Sequence, residues 1–489
     1  MQNYILDSIN LDAGGKVYFI GISGISMSGL AELALHIGFE VAGSDPRDSE
    51  QVKRLKALGI KIFNEQVAEN IISLKPDLVV YSSAIPDTNP ELLQARKDNI
   101  LSVSRAQFLG SLTRKYNKVI NVAGTHGKST TTSMISLILM EAELDPTVHL
   151  GADFEYFNNN TIRLGSNELL VSEADEYKRS FLNFASTTSI ILNIDEDHLD
   201  FYKDLDDIIN SFATFADNLA DNGTLIIPED TPNKTKFLEL LQEKRKLANR
   251  SMPKIITYGE YQAESDHQAD YYFKNLELIN GHPNYEVYKN NELYGRFTLA
   301  VPGIHNISNS LAAIIAAEVN GADLDSAIRA LKKFHGAGGR FDLFGKFKGA
   351  DVIADYAHHP REVEVTLAAA NTMPHEKVWP VCQILNYSRA RDYHEEFIDL
   401  FQDYPFVVYY TIYSSRETDK LGQSAERLAR EFNERYPNNE AVACNTVDEL
   451  IETFKSRVNA DDMILFLGPE GIRAAAVEFC KSDLAEYFK

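Results

Sequence analysis

Cysteine is scarce in this sequence, and no apolar run is long. The 489 residues include three cysteines, Cys382, Cys444 and Cys480, whose wide spacing matches no metal site. So few thiols indicate a reducing compartment, and we expect buried cysteines in a cytoplasmic protein. No apolar stretch approaches the roughly 18 residues that a membrane helix needs. The opening residues, MQNYILDSINLDAGG, lack the basic start and the apolar centre of a signal peptide.

The sequence also has fewer basic than acidic residues. The chain has 48 Lys and Arg against 71 Asp and Glu, a formal net charge of −23. This balance argues against partners such as nucleic acid or an anionic membrane, although a local basic pocket can still hold an anion. There is no internal repeat of solenoid period and no low-complexity tract. At this length we expect two to four domains with well-filled cores.

The order of apolar runs and turn signals predicts three α/β domains. The first block alternates the strands KVYFIG, FEVAGSD and DLVVYSSA with helical stretches, which is typical of a parallel sheet. The second opens with the strand KVINVAG and the helix KSTTTSMISLILMEA, and adds the strands NELLVSEA and TSIILNID. The third runs from GADVIADYA through VWPVCQIL, a helix over YHEEFIDLFQD, FVVYYTIY and MILFLG. We therefore expect domains at 1–115, 116–337 and 338–489.

The second block ends in a different pattern. Residues 271–301 contain hairpin-like segments around NGHPN and KNNE, and the helices NISNSLAAIIAAEVN and LDSAIRALKKF follow. The stretch GAGGR, at 336–340, has three glycines in five residues and predicts a hinge before the third block.

The stretch AGTHGKS resembles a phosphate-binding loop with unusual spacing. Only Thr125 and His126 separate Gly124 from Gly127, where the standard loop has four residues. A strand, a tight glycine turn and a helix that starts at Lys128 build an anion site, because the first helical N–H groups lack partners. Lys128 can meet the β and γ phosphates of a nucleotide, and the hydroxyl of the next residue, Ser129, suits Mg²⁺. The alternative is a turn that only caps the helix, and the strong flanking strand and helix favour the nucleotide site.

Two further residues follow apolar strands of the second block. Glu173 ends the strand in SEADE, and His198 comes just after the next strand, in NIDEDHLD. Ligands of open α/β sheets bind at the carboxyl ends of the strands, so these side chains are candidate Mg²⁺ ligands. The alternatives are a solvated strand end for Glu173 and a locally bonded helix-start residue for His198.

The first block has its own glycine turn, GISGISMSG. Its glycines, Gly21, Gly24 and Gly29, do not form a clean GxGxxG pattern. Asp45 ends the second strand, where an acidic residue can meet a ribose hydroxyl. The pattern fits a nucleotide-type ligand and tight helix–strand packing about equally well.

Several motifs together resemble the Mur ligase family over nearly the whole chain. They are AGTHGKSTTT, SEADE, NIDEDHLD, PGIHNISNSLAA, GRFD and DYAHHPREVEVTL, in this order. The family uses GTHGK followed by Ser or Thr, which accounts for the short loop. The resemblance implies a Rossmann-like UDP-binding domain, a central P-loop ATPase-like α/β domain and a C-terminal Rossmann-like domain.

The resemblance also implies an activity. It would be the ATP- and Mg²⁺-dependent ligation of L-alanine to the lactoyl carboxylate of UDP-N-acetylmuramate through an acyl phosphate, in peptidoglycan precursor synthesis. A carboxylate is a poor acyl donor, so phosphoryl transfer must activate it before an amine attacks. The protein would act as a monomer or a weak homodimer.

Site residues carry over from the family motif by motif. The implied catalytic residues are Lys128, Arg340 and His126, which would meet the muramyl carboxylate. The implied ATP contacts are Gly124, Thr125, Gly127, Lys128, Ser129, Thr130, Asn306, Asn309, Arg340 and Asp355. The implied Mg²⁺ ligands are Ser129, Glu173 and His198. The nucleotide sugar would meet Gly24, Ser26, Met27, Ser28, Asp45 and Ser83, and the amino acid would lie near His358, His359 and Arg389.

The chain departs from the family pattern at three places. Ser129 replaces the commoner threonine and keeps the hydroxyl. The run DEYKRSF stands where the members that add alanine have a shorter acidic-serine run, and Asn386 stands where they have an arginine. These changes leave open a related ligase that adds another amino acid or a recycled peptide. A folylpolyglutamate-type enzyme lacks a first block of this kind, and a non-catalytic regulator would not need the intact set of site residues.

Overall fold

The computed structural model describes residues 14–82, 84–198, 201–264, 268–414, 418 and 422–488. Over these residues the fold is α/β, with three sheets. The chain forms two compact units, one of residues 1–275, 285–297 and 308–334 and one of 276–284, 298–307 and 335–489. The first unit contains the five-stranded sheet and most of the ten-stranded sheet, and the second contains the seven-stranded sheet.

The five-stranded sheet is parallel, in the order β3-β2-β1-β4-β5. This confirms the alternation predicted for the first block. Its strands are β1 Lys16–Ile20, β2 Glu40–Ser44, β3 Lys61–Phe63, β4 Leu78–Tyr81 and β5 Leu101–Ser104. Its helices are α1 Ile25–His36, α2 Glu50–Ala57, α3 Ala68–Leu74, α4 Pro90–Lys97 and α5 Arg105–Thr113.

The ten-stranded sheet has the order β15-β14-β13-β12-β11-β10-β6-β9-β7-β8. Its central pairs are parallel, and β7 pairs antiparallel with β8. The strands are β6 Lys118–Ala123, β7 Thr147–Phe154, β8 Asn160–Arg163, β9 Leu169–Glu173, β10 Ser186–Ile191, β11 Leu219–Pro228, β12 Lys254–Glu260, β13 Tyr271–Ile279, β14 His282–Lys289 and β15 Glu292–Thr298. The helices are α6 Lys128–Glu141, α7 Leu205–Asp217, α8 Lys234–Leu247, α9 His305–Val319 and α10 Leu324–Lys333.

The seven-stranded sheet has the order β20-β19-β18-β21-β17-β16-β22, with β16 antiparallel to both neighbours. Its strands are β16 Asp342–Phe347, β17 Ala350–Asp355, β18 Val378–Leu385, β19 Phe406–Tyr413, β20 Glu440–Cys444, β21 Met463–Leu467 and β22 Ala485–Tyr487. Its helices are α11 Pro360–Asn371, α12 Tyr387–Asp392, α13 His394–Asp399, α14 Ala425–Arg435, α15 Val447–Lys455 and α16 Glu470–Phe479. The helix expected over YHEEFIDLFQD ends at Asp399, where turn bonds such as Gln402 N–H to Asp399 O replace the helical pattern.

One apolar cluster runs through the first unit. It joins the buried side chains of β1 and α1, such as Phe19 and Leu30, to Phe181 and Phe212 further along the chain. A Cβ on Gly110 of α5 would lie 2.4 Å from the Asn183 carbonyl oxygen, so only glycine allows this approach. The five-stranded sheet therefore packs closely against the region that carries the phosphate loop.

The cysteines are buried, as the sequence analysis expects. Burial raises the pKa of Cys382 to about 12 and that of Cys480 to about 11, because a thiolate is poorly solvated in the core. Within the ranges given above, no helix combines the length and the apolar character needed to cross a membrane.

Candidate active site

Two glycines shape the loop between β6 and α6. Gly124 has φ +145° and Gly127 has φ +86°, backbone angles that L side chains rarely adopt. A Cβ on Gly124 would lie 3.0 Å from the Leu192 Cβ, and one on Gly127 would lie 2.6 Å from the Asn309 Oδ1. The α6 helix begins at the next residue, Lys128, and the first N–H groups of a helix have no acceptor within it. The loop has the glycine geometry that the sequence predicts, and its binding of an anion stays a prediction.

Hydrogen bonds of Thr125 and His126 join the loop to the segment that follows β10. The His126 N–H donates to the Asn193 Oδ1 at 2.8 Å, and the Asn193 amide donates to the His126 carbonyl at 3.1 Å. The Thr125 hydroxyl accepts a 3.1 Å hydrogen bond from the Asp195 N–H. The backbone of the loop is therefore preorganised, which is what a phosphate site requires.

The Lys128 ammonium folds back into the loop. It donates to the Gly124 carbonyl at 2.6 Å, to the Thr125 carbonyl at 3.2 Å and to the Glu176 carboxylate at 2.9 Å. Burial lowers the pKa of Lys128, but the carboxylates of Glu176 and Asp175 outweigh burial and raise it above its ordinary value. The lysine is therefore a fixed positive charge at the start of α6.

Ser129 and Glu173, two of the three predicted Mg²⁺ ligands, are hydrogen-bonded to each other. The Ser129 hydroxyl donates to the Glu173 Oε2 at 3.0 Å, and the Gly151 N–H donates to the Glu173 Oε1 at 2.7 Å. Adjacent oxygens of an octahedral Mg²⁺ with bonds of 2.0–2.1 Å are separated by about 2.9 Å, so this spacing fits two ligands of one ion. The described residues contain no group of three or more His, Cys, Asp or Glu that could hold a metal.

His198 lies beside a different carboxylate. Its Nε2 is 3.9 Å from the Glu176 Oε1 and 3.8 Å from the Asp197 Oδ2, and its ring lies 4.7 Å from the Tyr177 ring. His198 adopts φ +55°, a left-handed conformation that is uncommon outside glycine. Its role as a metal ligand stays a prediction.

The departure DEYKRSF overlaps a 3₁₀ stretch, Tyr177–Asn183, that is interrupted by a kink at Lys178 and Arg179. Lys178 and Arg179 both have positive φ, at 51° and 56°. The Arg179 guanidinium donates to the carboxylate of Asp207 at the start of α7 and lies over the Tyr202 ring. This basic side chain is therefore held by α7.

The asparagines expected near adenine lie on α9, three residues apart and hence on one face. The Asn306 amide donates to the Pro302 carbonyl at 2.7 Å, within the second unit. Asn309 belongs to the first unit, where it lies against Gly127. Thr130, in the first turn of α6, is buried.

Arg340 and Asp355 lie in the second unit. The Arg340 guanidinium donates to the Gly339 carbonyl at 3.1 Å and lies 5.2 Å from the Tyr356 ring centroid. The Asp355 carboxylate accepts from the Phe341 N–H and the Ala357 N–H, each at 2.8 Å. Burial raises the pKa of Asp355 in spite of the nearby arginine.

Two of the three side chains expected near the amino acid, His358 and His359, lie at the start of α11. The His359 Nδ1 accepts from the Arg361 N–H at 3.3 Å and caps the helix, and its ring lies 4.7 Å from that of Tyr393. The His358 Nδ1 donates to the Tyr356 carbonyl at 2.8 Å. Arg389 lies on α12, just after Asn386, whose φ of 69° and ψ of 149° are unusual for a residue with a Cβ.

The candidate UDP-sugar site centres on the start of α1. The Ser26 hydroxyl lies 3.0 Å from the His149 Nε2, and the Arg105 guanidinium donates to the same hydroxyl at 3.0 Å. Arg105 also lies 3.7 Å from the Asp175 carboxylate. Sequence reasoning missed His149 and Arg105, because they lie on β7 and α5, outside every motif. This chain of contacts links the candidate sugar site to the SEADE segment.

The other described residues predicted there follow β1 or β2 in the chain. Gly24 caps α1, Met27 is buried, and the Ser28 hydroxyl donates to the Ile25 carbonyl at 2.9 Å. Burial pushes the pKa of Asp45 up, but hydrogen bonds from Arg47 and Ser23 outweigh burial and lower it. Ser83 lies outside the described residues.

Three domain descriptions of the Mur ligase family match this sequence. "Mur ligase family, catalytic domain" matches residues 16–117, and "Mur ligase middle domain" matches residues 122–317. "Mur ligase, glutamate ligase domain" matches residues 339–469. The chain therefore belongs to the Mur ligase family.

Relatives and solved structures are similar along the length of the chain. The UDP-N-acetylmuramate–L-alanine ligase of Clostridium novyi is 39% identical over 459 residues, which are 94% of this chain and 95% of the relative. The structure of the UDP-N-acetylmuramate-alanine ligase from Thermotoga maritima has a TM-score of 0.76 at 26% identity, over 95% of this chain and 98% of that one. A murein peptide ligase from Psychrobacter arcticus, with a TM-score of 0.67 at 24% identity over 95% and 99%, shares the fold.

Proposed function

We propose that this protein is an ATP-dependent ligase that joins L-alanine to the lactoyl carboxylate of UDP-N-acetylmuramate, in peptidoglycan precursor synthesis. The observation that carries the proposal is the phosphate loop with Lys128 in its centre and the Ser129–Glu173 pair beside it. Relatives of nearly the same length that are 39% identical and carry that name support the choice of substrates.

The first step is phosphoryl transfer. A carboxylate oxygen of the muramyl group bonds to the γ-phosphorus of ATP, and the bond to the ADP oxygen breaks. Lys128 and the N–H groups at the start of α6 bind the phosphates and stabilise the charge that develops on them. Ser129 and Glu173, with His198 as the third predicted ligand, would hold the Mg²⁺ that neutralises phosphate charge. His126, inside the loop, would orient the muramyl carboxylate.

The second step is attack by the amine. The amino nitrogen of L-alanine bonds to the acyl carbon, inorganic phosphate leaves, and the nitrogen loses a proton. Arg340 adds positive charge, Asp355 with Asn306 and Asn309 contacts ATP, and His358, His359 and Arg389 form the amino-acid site. Exclusion of water protects the acyl phosphate, which gives the predicted hinge at 336–340 a purpose.

We propose that the three activities divide among residues 1–115, 116–337 and 338–489. The first segment would bind the UDP-sugar through Gly24, Ser26, Met27, Ser28, Asp45 and Ser83. The second would bind ATP and Mg²⁺, and the third would bind the amino acid. The domain matches at 16–117, 122–317 and 339–469 support these boundaries.

The deciding experiment measures phosphate release with ATP, Mg²⁺, UDP-N-acetylmuramate and one amine at a time. L-alanine should exceed glycine and L-serine by roughly 10–200-fold in kcat/KM, because one methyl contact discriminates by about 1–3 kcal/mol. The tripeptide of a recycling ligase should give no product. Turnover with the tripeptide and none with L-alanine would show that the protein is the recycling ligase instead.

We also propose that the enzyme works in the cytoplasm as a monomer or a weak homodimer, without nucleic acid or membrane partners. The net charge of −23 and the three buried thiols support this environment. Light scattering after size exclusion should give a mass near 54.9 kDa or a concentration-dependent average below twice that value. A stable tetramer would contradict the proposal.

A further inference from the structure

A second carboxylate of the SEADE segment is buried at the phosphate loop. Glu176 is 3% exposed, and its carboxylate accepts from the Lys128 ammonium at 2.9 and 3.2 Å. The Tyr202 hydroxyl donates to the Glu176 carbonyl at 2.5 Å, and the His198 Nε2 lies 3.9 Å from the carboxylate. No motif assigns Glu176 a role. Its carboxylate is hydrogen-bonded to Lys128, whereas the Glu173 carboxylate is hydrogen-bonded to Ser129.

The hydrogen-bond capacity of Lys128 is what makes Glu176 important. An ammonium group has three N–H donors. Two of them serve the Gly124 and Thr125 carbonyls, which belong to the loop itself. The third serves Glu176. A phosphate oxygen that binds Lys128 while the loop keeps its shape must therefore take the donor that Glu176 now uses.

We infer that Glu176 is a positioning residue that competes with phosphate for Lys128 and thereby sets the affinity for ATP. The inference rests on the proposed ATP site. Without nucleotide, Glu176 balances the buried ammonium and keeps it inside the loop. When phosphate binds, the carboxylate must give up the lysine, and the His198 imidazole, whose Nε2 lies 3.9 Å away, is a group beside which it can settle.

A purely structural ion pair makes a different prediction. If Glu176 only stabilised the fold, its removal would lower stability and weaken every ligand alike, because a buried charge would lose its partner. A competing carboxylate weakens only ligands that carry phosphate. Adenosine, which has the base and ribose but no phosphate, separates the two cases.

The test compares wild type with Glu176→Gln in the full-length protein. Titration calorimetry in EDTA measures the Kd of adenosine, of ADP and of a non-hydrolysable ATP analogue. The side chain of glutamine keeps the shape and loses the charge, so the ATP analogue should bind about tenfold more tightly, since a hydrogen bond to a charged group contributes about 1.5 kcal/mol or more. The Kd of adenosine should not change. Glu176→Asp, which draws the carboxylate back by one methylene, should show a smaller gain and covers the case in which Glu176→Gln fails to fold.

A mutant cycle with Lys128→Gln completes the test. If Glu176 only repelled phosphate, Glu176→Gln would increase the affinity for the ATP analogue equally with and without the lysine. If Glu176 competes with phosphate for Lys128, the increase requires the lysine. The inference predicts that Glu176→Gln has no effect on the ATP analogue once Lys128→Gln is present. An equal gain in both backgrounds, or unchanged or weaker phosphate binding in Glu176→Gln, overturns it while leaving the proposed function intact. Failure of the wild type to bind any nucleotide overturns both.

Discussion

The Ser129 hydroxyl donates a 3.0 Å hydrogen bond to the Glu173 carboxylate, although 44 residues separate them in the chain. The helix α6 begins beside the carboxyl end of β9, because β6 and β9 are parallel neighbours. The order of the strands therefore brings the hydroxyl and the carboxylate together. The distance between their oxygens suits two ligands of a single Mg²⁺.

Removal of the hydroxyl should raise the Mg²⁺ requirement. Ser129→Ala deletes one oxygen ligand, so we expect half-maximal activity at a several-fold higher Mg²⁺ concentration. Ser129→Thr keeps the oxygen and is the matched control, with a Mg²⁺ curve close to that of wild type. A Mg²⁺ titration of phosphate release measures both. Full activity and an unchanged Mg²⁺ curve for Ser129→Ala would remove this residue from the metal site.

Loss of the loop lysine should stop ligation and spare the fold. Lys128→Ala removes a preorganised charge at the site of developing phosphoryl charge, so kcat should fall by about 10²–10³-fold or more. Lys53→Ala is the control, because Lys53 lies in an exposed pair with Glu50 and should leave kcat unchanged. Circular dichroism checks the fold. A folded Lys128→Ala enzyme with more than about a tenth of wild-type kcat would rule out the phosphate role.

Arg389 should bind the carboxylate of the amino acid. A guanidinium offers two parallel N–H donors, which a lysine cannot reproduce. Arg389→Lys should therefore raise KM for L-alanine strongly and leave KM for ATP nearly unchanged. Arg391→Lys, two residues along the same helix and paired with Asp392, is the control. Equal effects on both KM values would place Arg389 outside the amino-acid site.

His149 should make the protein less stable in mild acid. Burial lowers its pKa from 6.5 to about 4, because a charged imidazolium is poorly solvated beside Ser26 and Arg105. Below pH 6.5 the unfolded chain therefore binds more protons at this residue than the folded protein does. The stability that neutral His149 contributes is fully present above pH 6.5 and is lost as the pH falls toward 4. Between pH 7.5 and 5 the loss is about 2 kcal/mol.

The measurement is the change in melting temperature between these two pH values. His149→Gln keeps a hydrogen-bonding side chain without this titration, so its melting temperature should fall less than that of wild type. Other titrating groups are common to both proteins and cancel in the comparison. An identical fall in both would show that His149 does not control the acid response.

The elements around the loop can be predicted well from the sequence, and the edges of the sheets poorly. β1, β6, β9 and β21 are continuous apolar runs, and α6 follows a strong glycine signal, so local pattern suffices for them. The short edge strand β3 and the antiparallel strands β16 and β22 have weak patterns, because edge pairing depends on distant neighbours.

The sequence alone predicts the glycine loop before α6, the order of the strands and helices, and the kinship with Mur ligases. Each of these depends on residues that are close in the chain, such as Gly124, Gly127 and Lys128. The pairing of distant groups is visible only in the folded protein: Ser129 with Glu173, Ser26 with His149, and Lys128 with Glu176. These contacts arise where parallel strands end side by side, and no local pattern encodes which side chains then meet. Glu176 is the clearest case, because within SEADE it looks like Glu173, and only burial beside Lys128 separates the two.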